Sequence, residues 1–141
     1  MRKIYWDTMI FAYWLEDHPQ YADRIEQIYR TLRREGDQIL TSVFTSGELL
    51  VAPIRDANQP LISTVNDLMS NGLVEVLPIT ANTMLQYGHV RAQAKVSPAD
   101  AIHLASAAEA LVDLFLTNDR RLRGLSVPGI KFIAGLDTDV I

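Results

Sequence analysis

Segments with the composition of buried strands alternate with segments of helical periodicity along the whole chain, and this alternation restricts the possible folds. The strand patterns are short and rich in apolar or β-branched residues, and they cover residues 3–7, 38–43, 73–78, 111–117 and 130–135. The helical patterns cover residues 8–16, 20–35, 45–52, 60–71, 80–95, 98–110 and 120–123. Strands separated by helices predict a three-layer α/β/α fold with a mostly parallel central sheet. With 141 residues and no internal repeat or linker, we expect one domain over residues 1–141.

Local signals locate several helix ends. Gly36 is expected to end the second helix, because glycine readily adopts the left-handed conformation found just after helices. Ser97 followed by Pro98 is a strong helix start, with a capping side chain and a proline at the first helical position. Thr45 and Glu48 have the T-x-x-E spacing of a capping box, which predicts a helix that begins at about residue 45.

Four acidic residues, Asp7, Glu48, Asp100 and Asp119, lie at similar places, where a strand pattern ends or a helix begins. A parallel sheet gathers such junctions at the carboxyl edge of its strands, where open α/β sheets bind ligands. Carboxylates that converge there repel one another, by roughly 4 kcal/mol for a pair at about 4 Å and an effective dielectric of about 20. A divalent cation bound by oxygen ligands removes this repulsion, so we predict a metal site at this edge.

Each of these acids also has a purely structural explanation, because carboxylates are favourable at the amino ends of helices. Asp7 and Asp119 can cap the helices that follow them, and Glu48 and Asp100 can complete capping boxes. Capping and metal binding are compatible, since a carboxylate has about four lone-pair sites. The placement of all four acids at one edge of the inferred sheet favours the metal site.

The composition and the missing motifs exclude several other functions. The chain has no cysteine, which rules out disulfides and thiolate metal sites, and its three isolated histidines argue against zinc. Neither a phosphate-binding P-loop, a dinucleotide-binding glycine motif nor a nucleophilic serine elbow is present. The net charge of −4 argues against a nucleic-acid binder that works by phosphate neutralisation, but it allows one that holds phosphate through a metal.

The amino-terminal segment and the apolar runs bear on localisation. Asp7 interrupts the sequence before any apolar core of a secretory signal could form. The longest apolar run, residues 9–15, is far shorter than the roughly 20 residues that span a bilayer. We therefore expect a cytoplasmic protein without a membrane partner.

Two further groups of side chains lie close to the acids in sequence. Arg120, Arg121 and Arg123 follow Asp119 directly, so this basic cluster is the best placed to contact a substrate. His103 lies one helical turn after Asp100 and can reach the same cleft. We interpret it as a packed or surface histidine, because nothing else in the sequence supports a catalytic role.

The segments WDTMIFAYWLE, TSGELL, SPADAIHLASA and LTNDRRL have the order and spacing of the PIN domain, and the chain resembles the small bacterial PIN-domain toxins of VapC type from residue 3 to about 133. The resemblance implies a metal-dependent endoribonuclease that is the toxin of a toxin–antitoxin pair, binds a small antitoxin and forms a homodimer. It assigns the metal-binding and catalytic roles to Asp7, Glu48, Asp100 and Asp119. A supporting hydroxyl maps to Thr117, with Thr8 as a second candidate.

The chain departs from the family pattern at two positions. Met9 stands where the family often has asparagine or serine, which puts the support of the first aspartate in doubt. Arg121 stands where the family often has a further aspartate. With one acid fewer, a second metal is expected to bind weakly or only with substrate, and Arg121 can contact an RNA phosphate instead.

These observations lead to a mechanistic hypothesis with open alternatives. Asp7, Asp100 and Asp119 are expected to bind Mg²⁺ or Mn²⁺, directly or through water, and Glu48 to bind a metal or orient the attacking water. Whether one or two ions bind stays open. A phosphatase of haloacid-dehalogenase type is disfavoured, since Met9 occupies the place of its second aspartate. A PIN-like module that binds RNA or protein with weak or no catalysis remains the main alternative.

Overall fold

Five short strands form one sheet in which every neighbouring pair is parallel, in a computed structural model that describes residues 1–141. The strand order is β3-β2-β1-β4-β5. The strands are β1 (Lys3–Trp6), β2 (Gln38–Ser42), β3 (Val74–Leu77), β4 (Leu114–Leu116) and β5 (Phe132–Ala134). The predicted mostly parallel sheet is thus confirmed. The reversal of order on either side of β1 makes it the switch point at which such sheets open a crevice.

Seven helices connect the strands and cover both faces of the sheet. They are α1 (Thr8–Leu15), α2 (Ala22–Glu35), α3 (Val43–Arg55), α4 (Gln59–Ser70), α5 (Ala81–Gln93), α6 (Pro98–Glu109) and α7 (Arg120–Arg123). This arrangement confirms the predicted three-layer α/β/α fold. None of these helices combines the length and the hydrophobicity that a membrane span requires.

Alternate residues of the strands supply two separate hydrophobic cores. Ile4 and Trp6 of β1 pack with residues of α1 to α4 on one face of the sheet. Tyr5 points to the other face, where it stacks on Phe115 (5.1 Å between ring centroids) and packs with α5 and α6. This separation follows from the period of two along a strand, and it fixes the register of the buried strands.

Some local sequence signals agree with the structure and others do not. Gly36 ends α2 in the left-handed conformation with φ 72°, and Ser97 caps α6, as predicted. The Thr45–Glu48 capping box was a wrong prediction, because Ser42 caps α3 and Thr45 is buried inside that helix. The strand predicted over residues 111–117 covers only β4, since Leu111 has φ 55° and cannot continue a strand.

Candidate functional site

The candidate site lies at the carboxyl edge of the two central strands, β1 and β4. Asp7 follows β1 directly, and its backbone N–H donates to the carbonyl oxygen of Leu116 (3.2 Å). This bond extends the parallel register by one residue and brings Asp7 beside Thr117. Asp119 follows two residues later and caps α7. Residues that are over 100 positions apart in sequence therefore meet at one edge.

The Asp7 carboxylate is almost completely buried, with 8% of the residue exposed. Its Oδ2 accepts a hydrogen bond from the Thr117 hydroxyl. Its Oδ1 is buried without a hydrogen-bond partner. Burial raises the pKa of Asp7 above its ordinary value, and the Thr117 hydrogen bond opposes this shift only in part. Asp7 thus presents a buried carboxylate oxygen to which no group of the chain donates a hydrogen bond.

Asp119 is paired with the arginine two residues after it. The guanidinium of Arg121 donates to both carboxylate oxygens, from Nε to Oδ1 (3.1 Å) and from Nη2 to Oδ2 (2.7 Å). This contact holds the pKa of Asp119 below its ordinary value. The backbone N–H of Asp119 donates to the Thr117 hydroxyl oxygen (3.0 Å). Thr117 therefore connects the two acids that follow β1 and β4.

Asp100 reaches the same edge from the first turn of α6. Its backbone N–H donates to Ser97 Oγ (3.1 Å), which fixes the start of the helix. Burial and, as a smaller contribution, the negative charge of Asp100 raise the pKa of Asp7, as expected for carboxylates that share a cleft. Together with Asp119, these two acids line a cleft of about 340 Å³.

Glu48 is held next to this cleft by a network of buried and partly buried side chains. Its Oε1 accepts hydrogen bonds from the Thr8 hydroxyl and from His103 Nε2 (2.7 Å). Burial alone would raise the pKa of Glu48, but the hydrogen bonds from His103 and Thr8 outweigh it and lower the pKa. On its other side, His103 Nδ1 lies 2.8 Å from the Tyr5 hydroxyl, which also accepts from the backbone N–H of Ser42 (3.1 Å). If the Tyr5 hydroxyl donates to Nδ1 and Nε2 donates to Glu48, both ring nitrogens of His103 have a hydrogen-bond partner.

The structure places the predicted site residues in two adjoining depressions. The cleft contains three of the four acids and is bordered by Arg120 and Arg121. Glu48 and Thr8 line the neighbouring groove between α1, α3 and α4, and the half-exposed Met9 borders both. Arg123 does not line the cleft, and its Nη2 pairs with Asp137 Oδ1 (2.5 Å).

The oxygen donors of the cleft match a divalent cation in chemistry but not in their present spacing. No three acidic or histidine side chains are close enough together to bind a metal ion as they stand. The chemistry of the cleft nevertheless fits a hard cation, since its ionisable ligands are carboxylates and the buried Asp7 Oδ1 lacks any partner. The Arg121 guanidinium now makes the contacts with Asp119 that a cation would make.

His103 is the site residue whose role the sequence did not reveal. The expectation of a packed histidine is correct as to burial, with 4% of the residue exposed. Its contact with Glu48, however, makes it the support of an acid in the candidate site. The available signal was its spacing of one helical turn from Asp100. The long-range contact with Tyr5 and Glu48 depends on the packing of α6 over the sheet, which spacing alone does not give.

The parallel α/β/α fold thus carries an acidic cleft at the switch point of its sheet. The family model described as the PIN domain matches residues 4–127. The chain is therefore a member of the PIN domain family.

Solved structures with a similar fold include toxin–antitoxin complexes. One of these structures is VapBC2 from Rickettsia felis, bound to a DNA fragment from the VapBC2 promoter. One of its chains has a TM-score of 0.76 at 16% identity, and the match covers 94% of this chain and 98% of that one. A toxin–antitoxin complex from Klebsiella pneumoniae gives 0.66 at 18% identity, with coverage of 90% and 94%. FitAcB from Neisseria gonorrhoeae gives 0.62 at 20% identity, with coverage of 82% and 87%. At such identities the likeness concerns the fold. No curated protein matches the sequence.

Proposed function

We propose that the chain is a Mg²⁺- or Mn²⁺-dependent endoribonuclease that hydrolyses phosphodiester bonds at the acidic cleft. The observation that carries this proposal is the buried, unpartnered Oδ1 of Asp7 in a cleft shared with Asp100 and Asp119. A fold does not require such an oxygen, because an orphaned buried polar atom lowers stability. A cation that binds there would compensate for the burial. Membership of the PIN domain family supports nuclease chemistry at this place.

Asp7, Asp100 and Asp119 would bind the cation, directly or through water. When bound, the cation would lower the pKa of a water molecule and neutralise charge that develops on the phosphate. Thr117 fixes the Asp7 carboxylate by donating to Oδ2, and it restrains Asp119 through its backbone N–H. With water as the nucleophile and the 3′ oxygen as the leaving group, the expected products carry a 5′-phosphate and a 3′-hydroxyl.

Glu48 would bind a metal or orient the attacking water. Its low pKa keeps it ionised at neutral pH, which suits either role. Thr8 and His103 are positioning residues, since both donate to the same oxygen, Oε1, and leave Oε2 without a side-chain partner. The free oxygen can then accept a hydrogen bond from water or contact a cation.

The arginines that border the cleft would contact the RNA backbone. Arg120 and Arg121 are exposed and lie at its rim. An arriving phosphate can attract the Arg121 guanidinium away from Asp119, since a guanidinium binds phosphate as readily as carboxylate. Arg123 would require a change of partner before it could contribute, because it is paired with Asp137.

The biological role we propose is that of the toxin in a type II toxin–antitoxin pair, acting in the cytoplasm as a homodimer. The support is the fold shared with chains of VapBC2 and of the Klebsiella toxin–antitoxin complex. A small antitoxin would inhibit the enzyme by placing a cationic side chain among the carboxylates. The groove between α1, α3 and α4 adjoins the cleft, and α3 exposes Val51 and Ile54 (62% and 60%), so an apolar partner segment can be accommodated there.

A second candidate function is a PIN-like module that binds RNA or protein without efficient catalysis. Two observations favour it, namely the ion pair that engages Asp119 with Arg121 and the methionine at position 9. A pure binder would retain RNA intact in the presence of metal, whereas a nuclease would cut it.

Asp7→Asn separates these candidates. The substitution keeps the shape of the side chain and removes its charge, so cleavage of single-stranded RNA in Mn²⁺ or Mg²⁺ should fall steeply while the circular dichroism spectrum stays unchanged. Asp23→Asn on the outer face of α2 is the matched control and should cut like the parent. Equal cleavage by parent and Asp7→Asn, or equal cleavage by the parent in EDTA, would refute the proposed site.

A binding experiment tests the metal independently of catalysis. A cation that binds only the folded protein raises its melting temperature. Millimolar Mn²⁺ should therefore raise the melting temperature of the parent but hardly that of Asp100→Asn. Equal shifts in both proteins would contradict metal binding at this cleft.

A further inference from the structure

A cavity of about 480 Å³ lies outside the acidic cleft, between the second half of α5 and the segment that follows α7. Its volume is within the range of small-molecule binding sites. One wall is formed by residues 86–94 and the other by residues 124–128. We call it the α5–α7 cavity. Neither the acids nor the arginines discussed so far line it.

The chemistry of this cavity combines an apolar floor with side chains that are free to form hydrogen bonds. Val90 and Val127 are buried and belong to the core beneath it. The only side-chain hydrogen bond from the second half of α5 joins Arg91 to Tyr87 (3.3 Å). Gln86, His89 and Gln93 therefore present donors and acceptors that no group in the chain uses. A flat, heteroaromatic ligand with polar edges matches this combination.

The chain connects both walls of the α5–α7 cavity to the walls of the acidic cleft. The end of α5 leads through residues 94–97 to the first turn of α6, where Asp100 lines the cleft. The other wall begins at Gly124, directly after α7, whose first residues Arg120 and Arg121 border the cleft. α7 has four residues and is therefore about 6 Å long. Its length corresponds to about two steps between successive stacked nucleotides, which are 3.4 Å apart.

The charges along this path are suited to a polyanion. No acidic residue lines the α5–α7 cavity, in contrast to the cleft with its three aspartates. Arg91 and Lys95 are exposed on the same segment as its first wall, and Arg120 and Arg121 border the cleft and precede the second wall in the chain. A strand whose phosphate lies in the cleft would meet positive charge on its way to the cavity.

We propose that the α5–α7 cavity binds one nucleobase of single-stranded RNA next to the phosphodiester bond that is cut, and that it contributes sequence preference. The amides of Gln86 and Gln93 each offer a donor and an acceptor, which is the pairing that base edges present. His89 provides a ring on which a base can stack. The base must be unpaired, because its edges are occupied within a duplex. This inference rests on the proposed nuclease function.

A nucleotide titration tests the cavity without any need for catalysis. The metal-free protein is titrated with each of the four nucleoside 5′-monophosphates at millimolar concentration and followed by ¹H–¹⁵N NMR. Amide shifts are expected over residues 86–94 and 124–128, with one base bound more tightly than the others. Shifts restricted to the acidic cleft, or no saturable shifts with any of the four, would overturn the proposal.

A double variant assigns the binding to the amides. Gln86→Ala combined with Gln93→Ala should weaken binding of the preferred nucleotide by roughly 5- to 150-fold, the range for loss of a bidentate base contact. Gln27→Ala, which removes an exposed glutamine from α2, is the control and should bind like the parent. Both glutamines of the cavity are at its accessible rim, so the melting temperature should stay constant. Unchanged affinity in the double variant would overturn the assignment.

The cleavage pattern distinguishes failure of this inference from failure of the proposed function. If the parent cuts RNA with a nucleotide preference beside the cut, the double variant should lose that preference. An unchanged preference would overturn the inference and leave the nuclease intact. If the parent cuts no RNA but the nucleotide shifts are seen, the nuclease proposal fails and the base-binding cavity is supported.

Discussion

Replacing Asp7 by asparagine should stabilise the metal-free protein, although it should abolish the proposed activity. The Asp7 carboxylate is 8% exposed, and its Oδ1 has no hydrogen-bond partner. Burial of this charge raises its pKa, so the folded state binds a proton more readily than the unfolded state does. Asparagine preserves the shape and the acceptor for Thr117 but carries no charge.

Asparagine leaves one buried polar atom without a partner, because its Nδ2 takes the place of Oδ1, so the gain comes only from removing the buried charge. We take this gain as about 1–3 kcal/mol, the scale of the desolvation cost of one buried group. For a domain of this length, roughly 3 °C of melting temperature corresponds to each kcal/mol, so Asp7→Asn should melt about 3–9 °C higher than the parent at neutral pH. Because the folded-state pKa is raised, the parent loses stability as the pH rises from the unfolded-state value through the folded-state value. The gain from the substitution should therefore shrink as the pH is lowered to about 4.

The assay is thermal and urea unfolding in EDTA between acidic and neutral pH. Asp113→Asn is a control with the opposite sign, because hydrogen bonds from Lys131 and from the backbone N–H of Lys3 lower the pKa of Asp113. The ionised Asp113 carboxylate therefore stabilises the folded state at neutral pH, and this stabilisation is lost as the pH falls through the folded-state pKa. Asp113→Asn should be less stable than the parent at neutral pH. The reasoning is refuted if Asp7→Asn melts at or below the parent temperature at neutral pH.

Three further substitutions probe the supports of the site and of the fold. Arg121→Ala removes the guanidinium that pairs with Asp119, so Mn²⁺ should bind severalfold more tightly when measured by isothermal titration calorimetry. Unchanged affinity would contradict competition between Arg121 and the cation for Asp119. His103→Ala should lower the free energy of unfolding by about 2–4 kcal/mol in urea, because it opens a cavity and leaves buried polar partners unpaired, and a loss below about 1 kcal/mol would contradict this. Gly129→Ala should destabilise the fold by at least about 1 kcal/mol, because φ is 98° and a Cβ would lie 2.6 Å from a backbone oxygen. Gly124→Ala meets no atom within 4 Å, and its melting temperature should be close to that of the parent.

The fold could be predicted from the sequence because its signals are local. Short β-branched strands and amphipathic helices reveal their period over a few residues, and parallel strands then place their carboxyl ends at one edge. Ser97 and Gly36 act on their own helix ends, so their roles were predicted correctly. This reasoning also brought Asp7 and Asp119 to neighbouring positions without any knowledge of the packing.

The supports of the site could not be predicted in the same way, because they depend on contacts between distant segments. Glu48 has the spacing of a capping residue, but α6 packs His103 against it, and this tertiary hydrogen bond replaces the local one. The sequence offers Arg121 as a possible contact for an RNA phosphate, but its ion pair with Asp119 depends on the turn at the start of α7. Which of several possible polar partners a side chain contacts is determined by the packing of distant segments, and a local sequence pattern does not contain this information.

The Thr117 hydroxyl donates to the carboxylate that follows β1 and accepts from the backbone of the acid that follows β4. A single oxygen atom thus sets the spacing of two negatively charged groups from different parts of the chain. Insertion or deletion of one residue in β4 would turn this hydroxyl to the opposite face of the sheet. Its hydrogen bonds with Asp7 and with Asp119 would then both be lost. Substitutions elsewhere can adjust the charge of the cleft, but its dimensions are tied to the length of this strand.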